Sequence, residues 1–305
     1  MKLPKKVTIK EVGPRDGLQN EKQLIPTEDK VNWINSLSET GLSYIEVSSF
    51  VHPKWIPQLA DAGDVLQQIK RNKGIKYAAL VPNIKGLDRA LEMNVDEVSV
   101  FMSASEGHNR SNINKSIEET YPVLAEVVRE AKMAGKTVRG YVSTVIACPY
   151  DGPVAPTQVR KVASQLFSMG VDELSLGETI GVGVPSQVEK LLDELLKEFN
   201  ADLLAMHFHD TRGTALANIV KSLEMGITTF DSALGGLGGC PYAKGASGNV
   251  ATEDLLYMLH EMGIETGVDL NAALKSAQLI ERTLGKHLKS RQMDILRAEG
   301  KELIS

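Results

Sequence analysis

Short β-branched runs alternate with longer amphipathic stretches along the whole chain, the arrangement that a parallel sheet covered by helices requires. Strands are expected in VTIKEV from Val7, YIEVSSF from Tyr44, KYAALV from Lys76, EVSVFMS from Glu97, TVRGYVST from Thr137, ELSLGET from Glu173, LLAMHFHD from Leu203 and TTFDSAL from Thr228. About eight strands is the number that closes a barrel of ordinary size. The intervening segments have helical period: in EDKVNWINSLSETG, Val31, Ile34, Leu37 and Ser38 fall three or four apart, and Gly41 supplies a C-terminal stop. SETGLSYIEV, FSMGVDELSL and LEMGITTFDS repeat one form, in which a helix end is followed by Gly and then a strand. Gly there takes the left-handed position after a helix. No Pro/Ser/Gly-rich linker interrupts the pattern, so residues 1–305 read as one α/β domain, a (β/α)8 TIM barrel over about 5–265 with C-terminal helices over about 266–305. Within the latter, Asn271 to Lys286 reads as one helix. A doubly wound open sheet is the rival, but it usually places a Gly-rich turn after its first strand, and GPRDGLQN contains no G-x-G-x-x-G.

Composition narrows the function classes. With 305 residues, 42% hydrophobic, the chain can bury a large core. Its 34 Lys and Arg are scattered among 39 acidic residues for a net charge of −5, which argues against a nucleic-acid partner, because phosphate binding needs a clustered basic face. No stretch approaches the roughly 20 apolar residues of a membrane span. The start, MKLPKKVTIKEV, lacks the apolar core of a signal peptide, so a cytoplasmic location is the default expectation. Two cysteines cannot frame a disulfide scaffold, so a cysteine that matters should matter as a thiol.

Active sites of such barrels are built at the C-terminal ends of the strands, and unusual polar residues fall there. Arg15-Asp16 ends the first strand, Glu46 lies on the second and Glu178 ends the sixth; His207-Phe208-His209-Asp210 ends the seventh. After the eighth comes Gly235-Gly236-Leu237-Gly238-Gly239-Cys240-Pro241-Tyr242, with Asn249 beyond. His207 and His209, two apart on a strand, point to one face, as a chelating pair would. An isolated H-x-H is also met as a pair of core histidines. A carboxylate and an amide oxygen would complete a site for Mg²⁺, Mn²⁺ or a similar ion, and Asp16 and Asn249 are the candidates. Taken singly, Asp16 before Gly reads as a turn residue and Asn249 as a helix N-cap. The glycine run lacks the Lys and Ser/Thr of a nucleotide loop, and carrying the Cys240 thiol over the barrel mouth is the more economical reading. Cys148, in a similar C-P-Y phrase, competes for that role.

With GPRDGLQNE, IEVSSFVHPKW, GETIGVG, HFHDTRGTALAN and GLGGCPYAKGASGN in order, the chain resembles the 3-hydroxy-3-methylglutaryl-CoA lyases of the DRE-TIM metallolyase superfamily over nearly its whole length. The R-D and HxHD motifs are shared across that superfamily; the GLGGCPYAKGASGN loop is specific to the lyases. The resemblance implies that Asp16, His207, His209 and Asn249 ligate a divalent cation, Mg²⁺ or Mn²⁺. It further implies that Arg15 holds the thioester oxygen, that Glu46 orders the metal ligands and that Cys240 handles a proton. The chain departs from the family at Glu178, where the lyases usually have Asp in G-D-T-I-G, and in ALGGLGG before the cysteine loop.

The implied reaction is a metal-assisted retro-Claisen cleavage of an acyl-CoA thioester to acetyl-CoA and acetoacetate, in leucine degradation or ketone-body metabolism. His207 or Glu178 would receive the hydroxyl proton, and Cys240 would protonate the enolate. A homodimer is left open. The alternatives are a Claisen-condensing synthase of the same superfamily, which commonly carries extra C-terminal domains, and an impaired acyl-CoA- or metal-binding relative, suggested by Glu178.

Overall fold

The computed structural model describes residues 3–239 and 248–303. Eight parallel strands close a barrel: β1 (Thr8–Glu11), β2 (Tyr44–Ser49), β3 (Lys76–Leu80), β4 (Glu97–Ser103), β5 (Thr137–Ser143), β6 (Glu173–Glu178), β7 (Leu204–Phe208) and β8 (Thr229–Ser232). Strands adjacent in sequence are adjacent in space, and β1 pairs with both β2 and β8 to complete the closure. Helices run between the strands, so the expected (β/α)8 architecture is the one observed. Three strands, β1, β7 and β8, begin one residue later than the hydrophobic pattern suggested, and the others begin where expected.

The first helix, Thr27–Ser38, buries Val31, Ile34, Leu37 and Ser38, the face its spacing predicted. Gly41 follows at φ 92°, and a side chain there would begin 2.2 Å from the Gly267 carbonyl oxygen, so only glycine fits this turn. Beyond the barrel, Leu270–Leu284 forms a helix whose N-cap Asp269 accepts from the Ala272 amide, and Gly285 closes it in the left-handed region. A further helix spans Arg291–Ala298. Among the described residues no helix is long and apolar enough to cross a membrane.

The outward strand positions are apolar and fully buried beneath the helices, among them Ile9, Ile45, Val98, Val138, Leu174, Phe208 and Phe230. The inward positions depart from the branched apolar filling usual in this fold. In register, Lys10 lies beside Asp231, Asp231 beside His207, and Arg139 beside Glu173. These charges are paired: Lys10 Nζ meets Glu173 Oε1 at 2.7 Å, Arg139 Nε meets the same oxygen at 2.6 Å, and Arg139 Nη2 meets Asp231 Oδ1 at 2.6 Å. Buried charge is tolerable only when paired in this way. The barrel floor is therefore a rigid ionic lattice immediately beneath the mouth.

Candidate active site

β1 ends at Glu11 and the chain then makes one wide turn over Gly13–Gly17, in which the Asp16 amide donates to the Val12 carbonyl at 2.7 Å. The turn sets the buried side chains of Arg15 and Asp16 at the barrel mouth. On β7 and just past its end, His207 and His209 lie on one side of the backbone with ring centroids 5.3 Å apart. Asp16, His207 and His209 each bring one ligand-capable atom to within 4.8 Å of the others. Asn249 bridges His209 in antiparallel fashion, and its Nδ2 donates to Asp16 Oδ2 at 2.8 Å and to the Leu237 carbonyl at 3.0 Å. It does not cap the following helix, which starts at Thr252.

Two atoms in this cluster, Asn249 Oδ1 and His209 Nδ1, are buried without a hydrogen-bond partner among the described residues. Orphaned buried polar atoms are rare and costly. An imidazole nitrogen and an amide oxygen beside an ionised carboxylate make the donor set of a divalent cation, so the residues present fit one. Burial pushes His209 down to about 4, helped by His207, so its ring is neutral at physiological pH as a ligand must be. Burial alone would raise the Asp16 carboxyl, but the Arg15 charge, the two histidines and the Asn249 hydrogen bond bring it below its ordinary value.

Arg15 is fixed by two carboxylates, with Nε donating to Glu46 Oε2 and Nη1 to Asp16 Oδ1, both at 2.6 Å, and its guanidinium lies 5.0 Å from the centre of the Tyr141 ring. Tyr141 Oη donates to the same Glu46 oxygen at 3.0 Å. Glu46 thus holds the arginine that stands beside Asp16. A cavity of about 430 Å³ opens over these groups, its lining including Arg15, Asp16, His207, His209, Leu80 and Phe101. Gly239 also lines it. Gly238, at φ 109°, passes so close that a Cβ would meet Asn249 Nδ2 at 2.6 Å.

Not every expected residue comes to this cavity. Gly177 pairs with His207, so Glu178, next along the strand, points to the opposite face and lines no part of the cavity. Its Oε1 accepts from the Val182 amide at 3.0 Å and its carboxyl is raised by burial, while the Gly183 position is crowded against its Cγ. The extra methylene relative to Asp lets it reach the turn at 181–183. Cys240 lies outside the described residues. Cys148 sits buried in a two-stranded hairpin, Ala147–Cys148 with Gly152–Pro153, where its sulfur accepts from the amides of Tyr150 and Asp151 at 3.3 Å each.

Sequence reading missed Asp231, Arg139, Tyr141 and Ser175, which surround His207 and Glu46 from the barrel interior. The available signal was a charged residue in the middle of a strand, as in TVRGYVST and TTFDSAL.

Glu11 ties the two halves of the mouth together. Its Oε1 accepts from the amides of Gly13 (2.8 Å) and Leu234 (3.1 Å), and its Oε2 from Thr252 Oγ1 (2.6 Å). Burial pushes its carboxyl from 4.5 up to about 7, against the pull of those hydrogen bonds. Because the folded value exceeds the unfolded one, the folded state binds this proton more tightly. Its contribution is complete below the unfolded value and is lost as pH rises towards 7, on the order of 3 kcal/mol in all. Denaturant titrations between pH 4.5 and 7.5 should therefore contain a component of stability that falls with pH, opposed by His209 and His108, both held down to about 4 by burial, and Glu11→Gln should remove part of that falling component. Glu253, raised by burial to about 7 as well, supplies a further part. An unchanged pH slope in Glu11→Gln would refute the assignment.

The HMGL-like family model matches residues 6–280. The chain is 58% identical to hydroxymethylglutaryl-CoA lyase YngG of Bacillus subtilis, over 98% of this chain and 100% of that one. It is 52% identical to the 3-hydroxy-3-isohexenylglutaryl-CoA/hydroxy-methylglutaryl-CoA lyase of Pseudomonas aeruginosa, over 98% of this chain and 100% of the relative. The crystal structure of the Bacillus subtilis HMG-CoA lyase superposes with a TM-score of 0.96, covering 97% of this chain and 100% of that one at 58% identity. An Acinetobacter baumannii HMG-CoA lyase, solved in complex with coenzyme A and 3-methylmalate, superposes at 0.92 with 38% identity, covering 98% of this chain and 96% of that one.

Proposed function

The chain belongs to the HMGL-like family, and from that premise we propose that it is a hydroxymethylglutaryl-CoA lyase, cleaving 3-hydroxy-3-methylglutaryl-CoA between C2 and C3 into acetyl-CoA and acetoacetate. The observation that carries this reading is the convergence of Asp16, His207 and His209 within 4.8 Å at the mouth of the barrel. Asp16, His207, His209 and Asn249 would hold a divalent cation, Mg²⁺ or Mn²⁺. When bound it acidifies the C3 hydroxyl and orients the substrate.

The chain's own residues perform the rest. Arg15, held by Glu46 and Asp16, has an Nη2 that makes no hydrogen bond among the described residues, and it faces the thioester oxygen on which negative charge builds as the C2–C3 bond breaks. Its rigidity means that no reorganisation is needed as that charge forms. Of the two acceptors weighed for the hydroxyl proton, His207 alone lines the cavity, but a ring whose Nε2 holds the cation has no lone pair left for that proton, so His207 acts as a ligand and the proton leaves to water in the cavity. Glu178 instead braces the turn at 181–183. Cys240, next in sequence to the cavity-lining Gly239, delivers a proton to C2 of the acetyl-CoA enolate. The acyl-CoA partner is supported by the coenzyme A complex of the Acinetobacter relative. A cytoplasmic location is part of the same proposal.

The test is a cleavage assay on 3-hydroxy-3-methylglutaryl-CoA with chelator and with added Mg²⁺ or Mn²⁺. Acetoacetate should form, fall at least a hundredfold on chelation and recover with either ion. Condensation of acetyl-CoA with 2-oxoisovalerate or 2-oxoglutarate, without cleavage, would assign the chain to the synthases instead.

A further inference from the structure

Asp231 is fully buried on β8 and belongs to none of the groups that face substrate. Its Oδ1 accepts from Arg139 Nη2 at 2.6 Å, and its Oδ2 lies 3.1 Å from Arg139 Nη1, 2.7 Å from Ser175 Oγ and 3.2 Å from His207 Nδ1. On the other side of the same imidazole, Nε2 lies 4.0 Å from Asp16 Oδ2. The two nitrogens of His207 thus face different carboxylates, one inside the lattice and one at the mouth.

We propose that Asp231 is the positioning residue of His207: it accepts the Nδ1 proton, fixing the tautomer whose Nε2 lone pair is turned to the Asp16 side of the mouth, where the two residues would hold the cation. The Arg139 fork keeps Asp231 an ionised, acceptor-only group. A bare Nδ1 would then set two lone pairs against each other at 3.2 Å, so the ring must carry its proton on that side. The fork also fixes the carboxylate in space, because Arg139 is itself anchored by Glu173 at 2.6 Å and shares Tyr141 Oη at 2.9 Å. Ring rotation about Cβ–Cγ would break the Asp231 contact, so the orientation of Nε2 is set from inside the barrel before any cation arrives. Outer partners of this kind typically change metal affinity 10- to 100-fold when removed. Among the described residues, His209 Nδ1 has no such partner.

This inference rests on the reading that His207 holds a cation, and its test separates the two. In the metal-free protein, ¹⁵N-edited NMR of the histidine rings, with His207 assigned by loss of its signal in His207→Asn, should show the proton on Nδ1. An Nε2-protonated ring in the parent protein would overturn the proposal whether or not any variant folds. Asp231→Asn, whose amide can present an N–H to Nδ1, should shift the ring toward the Nε2-protonated form and weaken Mn²⁺ binding 10- to 100-fold by titration. Ser175→Ala, which removes a donor to Asp231 and leaves the His207 contact, should keep Mn²⁺ affinity within about threefold. A folded Asp231→Asn protein with parental Mn²⁺ affinity and an Nδ1-protonated His207 would also overturn it. Failure of the parent protein to bind Mn²⁺ would instead count against the cation site itself.

Discussion

Asp16→Asn should lower kcat/KM for 3-hydroxy-3-methylglutaryl-CoA by about 10³-fold or more, because the substitution removes one negative charge at the point where three groups depend on it. A cation held by this site would provide several kcal/mol of transition-state stabilisation, and each ~1.4 kcal/mol lost is about tenfold in rate. The side chain keeps its shape, so the Asn249 and Gln19 contacts at 2.8 and 3.4 Å lose geometry less than charge. Arg15 would keep only Glu46 as a charged partner and would be free to swing by the angstrom or so that costs roughly a hundredfold in positioning. The checks are steady-state kinetics at saturating Mn²⁺ and a direct Mn²⁺ titration. Activity within tenfold of the parent, with metal affinity intact, would remove Asp16 from the proposed ligand set.

That prediction could be framed from the sequence because the chain's barrel character is written locally. Short β-branched runs, glycine shortly after several of the helices and polar residues at strand ends are each decided within a few residues, and the strands fall within one residue of their expected starts. The pairing of Asp16 with His207 was legible for the same reason, since each sits at a strand end and strand ends share one mouth. What was not legible depends on which way a strand faces once the barrel closes. Glu178 ends its strand as expected, but Gly177 takes the inward position beside His207, and one step of alternation sends the carboxyl to the turn at 181–183. Asp231 and Arg139 were missed for the converse reason: in this barrel the inward layer is ionic, so polar residues in mid-strand mark the interior instead of a solvent face. A single sequence carries no sign of that inversion, because alternation alone does not say which face is which.

The concern raised by Glu178 changes accordingly. A longer carboxylate inside the cavity would displace substrate, whereas one that accepts from the Val182 amide is placed to hold the turn after β6, whose Gly181 carbonyl also accepts from Arg212 Nη1 at 3.2 Å. The length of the arm suits that reach, and it gives no reason to read the chain as an impaired relative.

Cys240→Ser should reduce cleavage by about 10²- to 10⁴-fold, the range that a positioned proton donor contributes. It should leave Mn²⁺ affinity and acyl-CoA binding close to those of the parent. A hydroxyl is a far weaker acid than a thiol of ordinary value near 8.5, so Ser can occupy the same volume and still fail to protonate the enolate carbon. Cys148→Ser is the matched control. Its sulfur is already engaged by the Tyr150 and Asp151 amides within the Ala147–Pro153 hairpin and lines no part of the cavity, so its replacement should leave turnover unchanged. Single-turnover cleavage, with coenzyme A thioester binding measured separately, distinguishes loss of chemistry from loss of binding. The opposite pattern, full turnover in Cys240→Ser and its loss in Cys148→Ser, would move the proton donor to the hairpin and require a cavity different from the one lined by Gly239.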